Sequence, residues 1–221
     1  MSAFEVTRPF IVIGENIHAS RVVRADGSRI ARTATGLPAV RVPIDQGEAL
    51  LPVPPVIQET REFASGRVKH VMAAMLEGAA NGPDADVAAA YVRWMAARQI
   101  AGGAAYIDLN VDEISPDVDG RLEAMAWLVK AVGPVATVPL SIDSSDSAVM
   151  SVGLDACDPG WAAGIAPLLN SAAEDRLDVL ELAATRGSPV VLSSTGATMP
   201  TGTEERMERA VVMIEMAIAH G

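Results

Sequence analysis

The 221 residues suffice for one domain, and half of them are hydrophobic with only 20% charged, so a disordered chain is excluded. Seventeen basic against 28 acidic residues give a net charge of −11, which excludes a general phosphate-backbone binder and so nucleic acid as partner. No stretch approaches the roughly 18–20 uninterrupted apolar residues of a membrane span, and the opening MSAFEVTRPF lacks a signal peptide's basic-then-apolar layout, so no membrane association and a cytoplasmic location are expected.

The first strand is expected at Phe10–Ile13. Arg21–Ile30 reads as a short hairpin, with Asp26-Gly27 as a tight-turn pair between Val22, Val23 and Ile30. The stretch holding Pro38, Pro43, Pro52, Pro54 and Pro55 is too proline-rich for helix or central strand, so residues 19–66 are expected to form an inserted loop: a lid, a binding loop or an oligomer contact. Helix is expected again over Glu59–Glu77, with a break at Gly66. From about residue 84 helices and apolar strands alternate. The helices are expected at Ala85–Ala101, Arg121–Ala131, Ser147–Leu154, Glu174–Thr185 and Glu204–Ala219; the strands at Ala105–Leu109, Val138–Ile142, Ile165–Leu169 and Pro189–Leu192. Gly102-Gly103 and Arg186-Gly187 are the helix stops before two of these strands.

Strands that are apolar on both faces belong to a parallel sheet covered by helices. Two architectures fit, an open doubly wound sheet or part of a (β/α)8 barrel. The first strand runs into Gly14-Glu15-Asn16-Ile17-His18 rather than a glycine-rich turn, which removes the dinucleotide fingerprint and favours the barrel. A complete barrel takes about 250 residues, so this one is expected to stop after about five βα units, with an insertion after strand one. The chain is then a single domain over 1–221 whose last strands lie elsewhere.

In such a fold the carboxyl ends of the strands share one face. Glu15, Asn16 and His18 follow strand one; Asp108, Asn110, Asp112 and Glu113 close strand two; Asp143, Ser144 and Ser145 close strand three. Asn170 and Ser171 close strand four, and Ser193, Ser194 and Thr195 close strand five. Helix capping explains Ser144, Ser145, Asp146 and Ser171 well, but Asp143 and Asn170 less well, because each ends an apolar strand with the caps still to come. Those two are the expected ligand contacts. A carboxylate accepts two parallel N–H bonds while an amide gives and takes on adjacent atoms, which suits the amidine-like edge of guanine or a pterin. Asp108 and Asp143 as a pair also suit acid/base work on a sugar, or Mg2+. The lone Cys157 and three histidines form no zinc pattern, and Cys157 reads as a small residue near a helix end.

Four segments in order resemble the methyltetrahydrofolate-dependent methyltransferases, which include the corrinoid-protein methyltransferases and the folate domain of cobalamin-dependent methionine synthase. Ile13-Gly14-Glu15-Asn16-Ile17 is similar to that family's opening motif, with Asn16 where the family often has Arg. Asp108-Leu109-Asn110-Val111-Asp112-Glu113, Ile142-Asp143-Ser144-Ser145 followed by Gly153-Leu154, and Leu169-Asn170-Ser171 followed by Glu174 resemble its next three strand ends. Gly196 to Arg206 matches the fifth-strand loop more loosely, and residues 19–66 have no counterpart. The resemblance implies a TIM barrel binding methyltetrahydrofolate, with Asp143 and Asn170 at the pterin's polar edge and Asn110, Asp108, Glu15, Asn16 and Ser194 as further substrate contacts. It implies exchange of the N5-methyl with cobalamin on a separate corrinoid protein, and a homodimer. Further strand-end residues of the family, an Asp after strand six and an Asn after strand seven that helps N5 protonation, are expected beyond Gly221. No catalytic residue is assigned within the chain. Two rival readings are a non-catalytic or partner-completed pterin-binding subunit, and a dihydropteroate synthase-like enzyme whose Asn-x-Thr-x-Asp-Ser-Phe loop is missing here.

Overall fold

The expected alternation builds one parallel sheet in the computed structural model, which describes residues 10–220. The chain enters through β1 (Ile13–His18) and then forms the inserted elements: β2 (Val23–Arg24), β3 (Ile30–Arg32), β4 (Pro38–Ile44), β5 (Gly47–Pro52), α1 (Pro55–Gln58), α2 (Arg61–Ala64), β6 (Arg67–Val68) and α3 (His70–Ala79). The regular part follows as α4 (Ala85–Ala101), β7 (Tyr106–Asn110), α5 (Val118–Val132), β8 (Leu140–Asp143), α6 (Ser147–Asp155), β9 (Leu168–Ala172), α7 (Asp178–Arg186), β10 (Val190–Leu192) and α8 (Thr203–His220).

The sheet order is β1-β7-β8-β9-β10, each strand beside the next of its kind in the chain. A doubly wound sheet reverses its order part-way; this one steps in a single direction, as the first five strands of a (β/α)8 barrel do. Right-handed crossovers that all step the same way put every helix on one face and leave the other as an inner face. Alternation along the strands then sorts the side chains. Ile107, Leu109, Leu140, Ile142 and Leu169 are buried toward the helices, while Asp108, Asn110, Ser141, Asp143 and Asn170 share the inner face.

Helix-to-sheet packing is close at α6. A Cβ on Gly153 would lie 2.6 Å from Cγ2 of Ile142 and 3.2 Å from Cγ of Met125, so only glycine lets α6 lie this near β8. Asp146 caps the same helix, its side chain accepting from the Ala148 N–H at 2.9 Å. Both helix stops read from the glycines hold: Gly102 caps α4 with Gly103 at φ 90°, and Gly187 caps α7 in the left-handed region at φ 63°.

The strands of the main sheet start later than expected. β1 covers Ile13–His18 instead of Phe10–Ile13, and Phe10, Ile11 and Val12 are more than half exposed. β9 begins at Leu168, leaving Ile165 55% exposed, and β8 begins at Leu140 rather than Val138. Local hydrophobicity set those starts too early; ladder pairing sets the true ones, and it carries the polar strand-end residues inside the strands.

The insertion departs furthest from expectation. Residues 19–66 are not a plain loop: β3, β4 and β5 form an antiparallel sheet, and α1 opens on Pro55 at its first turn. The prolines sit where a missing N–H costs no ladder bond. Pro38 starts β4, Pro52 ends β5, and Pro43 lies past the end of β3, which pairs only as far as Val40. The Asp26-Gly27 turn forms, with the Gly27 N–H on the Arg24 carbonyl at 3.0 Å, but the flanking strands separate: Val23 pairs with Val68 and Ile30 with Val40. Gly66, at φ 77°, breaks the expected Glu59–Glu77 helix into α2, β6 and α3. β4 and β5 pack on α4, placing this small sheet against the outside of the first βα unit.

Substituting Gly153→Ala should lower the unfolding free energy by about 1–3 kcal/mol, because the new methyl must displace Ile142 or shift α6. Denaturant unfolding of the two proteins checks it.

Candidate functional site

Strand register brings the expected residues into one row. His18 pairs with Asn110, Asn110 with Asp143, Asp143 with Asn170, and Asn170 with Val191, so four polar side chains cross four adjacent strands at one level. One layer deeper on the same face, Asp108 pairs with Ser141. Asp108 is only 2% exposed and Ser141 fully buried, whereas Asp143 and Asn170 remain partly open.

Asp108 ties the two layers together. Its Oδ1 accepts from Ser141 Oγ at 2.6 Å and from Asn170 Nδ2 at 3.2 Å, and its carboxyl lies near enough to Asp143 for the two charges to interact. Like charges this close disfavour ionising both carboxyls. Burial, and then the charge of Asp143, push Asp108 up to about 7. Asp143 is also raised, by burial first; hydrogen bonds from Asn110 and from Asp108 oppose that, while the charges of Asp112 and Glu15 add to it. Burial and proximity thus raise both carboxyls, and their titration belongs to the pair.

A second set of bonds fixes the loop that follows. Asp112 accepts from Ser144 Oγ at 2.6 Å and from the Ser145 N–H at 2.8 Å, and Asn110 Oδ1 accepts from the Asp112 N–H at 3.0 Å. Ser144 and Ser145 are thus held by Asp112, and Asp146 alone among the three expected caps receives a first-turn N–H of α6. Ser171 lies within β9 and accepts a bond from Arg176 at 3.3 Å, so it is no cap either.

Glu15 and Asn16 lie within β1 instead of after it, at a bulge between the Gly14–Ile107 and Ile17–Leu109 pairs. The freed Asn16 N–H donates to Gln99 Oε1 at 2.9 Å, and Arg21 grips the Glu15 carbonyl at 2.9 and 3.2 Å. Both side chains are exposed on the open edge of the sheet, although the Glu15 charge reaches Asp143. His18 joins the row, with Nδ1 accepting from the Ser20 N–H at 3.1 Å. Ser194 follows β10, and no hydrogen bond joins its side chain to the row among the described residues.

Sequence reasoning passed over Ser141, Gln99 and the bracing role of Asp112. Ser141 had a legible signal: it lies two residues before Asp143 in an apolar strand, so both point to one face. Gln99 had none, since the bulge it caps is not visible in sequence. Two cavities lie apart from the row. One, of about 240 Å³, sits at the opposite ends of the strands among Leu140, Leu154, Cys157 and Trp161. Burial pushes the Cys157 thiol there up to about 11, as suits the packing role expected of it. The other, of about 680 Å³, runs along the free edge of β1 past Arg21, Arg29, Tyr91 and Trp94. Among the described residues, no three or more His, Cys, Asp and Glu side chains gather to hold a metal ion, and no helix is long and apolar enough to cross a membrane.

The stretch 84–220, more than half of the chain, matches the model of the pterin-binding enzymes. The chain belongs to the pterin-binding enzyme family. It is also 28% identical over 138 residues to the methylcorrinoid:tetrahydrofolate methyltransferase of Eubacterium limosum. That alignment covers 59% of this chain and 47% of the relative, so the chain spans about half the length of the curated protein it matches. The matched stretch of this pterin-binding chain begins at α4 and takes in Asp108, Asn110, Asp143, Asn170 and Ser194; β1 and the insertion lie outside it.

The raised carboxyl pair has a consequence for stability. A carboxyl whose folded pKa exceeds its unfolded value contributes fully below the unfolded value near 4, and that contribution is lost as pH rises through about 7. Asp108→Asn mimics the protonated form: its oxygen can still accept from Ser141 and Asn170, and its amide can donate to Asp143. The variant should therefore keep more of its unfolding free energy than the parent between pH 5 and pH 8, as measured by urea unfolding at both ends.

Proposed function

We propose that the chain binds a folate-type pterin on the inner face at the strand ends, and takes part in methyl exchange between N5 of tetrahydrofolate and a corrinoid carried by a separate protein. The observation that carries the binding half is the row Asn110, Asp143, Asn170 in adjacent strands, with the last two partly open. Asp143 accepts the paired N–H groups of the 2-amino-4-oxo edge, Asn170 lies beside it, and Asn110 steadies the Asp143 carboxyl. Glu15, Asn16 and Ser194 flank the opening from the two edges of the sheet.

The methyl-transfer half is supported by the relative, whose name pairs a methylcorrinoid with tetrahydrofolate. In that direction N5 is the nucleophile: it gains the methyl and gives up its proton. In reverse, the methyl leaves well only from a protonated N5, since a neutral amine is a far better leaving group than an amide anion. The work assigned to this chain is to orient the ring and hold its pyrimidine edge while N5 faces the incoming corrinoid protein.

Calorimetric titration tests the reading. Methyltetrahydrofolate should bind and p-aminobenzoate should not. Asp143→Asn and Asn170→Ala should each weaken folate binding by about 1–3 kcal/mol, the cost of an unpaired polar partner. Unchanged affinity in both variants would overturn the site.

A further inference from the structure

The orientation of the Asn170 amide bears on ligand choice, an inference that rests on the reading of the strand ends as a pterin site. Asn170 is an amide, and an amide can offer either its N–H or its oxygen to a ligand. Here the choice is made from behind. Asn170 Nδ2 donates to Asp108 Oδ1, the same oxygen that accepts from Ser141, and among the described residues Asn170 Oδ1 has no hydrogen-bond partner. It is not among the buried unpaired atoms either, so it keeps access to solvent. Reversing the amide would set two oxygens against each other at 3.2 Å. Ser141 supplies its own hydroxyl proton to the same Asp108 Oδ1, so two donors already converge on that oxygen and it serves as an acceptor.

We propose that Asp108 is a positioning residue that sets ligand specificity: by taking the Asn170 amide N–H it turns the Asn170 oxygen outward, so that Asn170 and Asp143 present acceptors only. Such an edge selects a heterocycle whose matching edge carries donors only, as the ring N–H and 2-amino group of a pterin do. It rejects a ring with oxygen in place of that amino group, because oxygen would then face oxygen.

The test compares 6-methylpterin with 6-methyllumazine, which differ in the 2-amino against the 2-oxo group, by calorimetry on the full chain. The parent protein should prefer the pterin by about 10-fold or more. Asp108→Asn keeps an acceptor at Oδ1 and should keep the preference. Asp108→Ala frees the Asn170 amide to turn and should lose most of the preference while still binding the pterin. Thermal unfolding of each variant establishes that it is folded, and Ser141→Ala, which removes only the hydroxyl donor, should leave the preference in place. Preference retained in Asp108→Ala, or lost in Asp108→Asn, would overturn the role of Asp108 while leaving the pterin site standing. Failure of the parent to bind either ring would overturn both.

Discussion

Asp108 is a carboxyl with almost no access to solvent, and the site is arranged around the need to satisfy it. A buried carboxylate is costly unless it is hydrogen-bonded or protonated. This one takes bonds from Ser141 and Asn170, and burial beside Asp143 raises its pKa toward the protonated form. Those bonds draw three strands to one point and fix which atoms of Asn170 and Asp143 remain for a ligand. The polar row is thus held from the layer beneath it, on rigid strands rather than on loops, which is the condition for a precise binding edge.

The sheet that carries this row owes its inner face to its order. Single-step crossovers keep the helices on one side, so the apolar members of β7, β8 and β9 are absorbed by helix packing and the alternate residues are left to converge. Gly153 lets α6 approach β8 closely, and Asp112 ties the β8–α6 loop back to the end of β7. The same constraint that brings Asp143 near Asp108 therefore fixes the loop beyond it.

Much of this was legible in the sequence. Asp143 and Asn170 stood out because each ends an apolar run before the helix caps begin, and both lie where strand register sets them side by side. The βα alternation was legible from residue 84 because helices and strands each keep their own apolar period, and glycine stops precede two of the strands. What was not legible depended on pairing at a distance. The start of β1 is decided by β7, not by the apolar Phe10–Ile13, and the prolines of residues 38–55 misled because a proline forbids a strand only where its N–H is needed. The layering of Asp108 behind Asp143 likewise needed the register of β7 against β8, since both aspartates lie near strand ends and read alike in sequence.

The most direct test of the account is carbon-detected NMR titration of the Asp108 and Asp143 carboxyls, with and without methyltetrahydrofolate. The account predicts coupled titration with one step near neutral pH, and a shift of both signals when the pterin is added. Two independent titrations in the ordinary carboxylate range, unmoved by the folate, would contradict it.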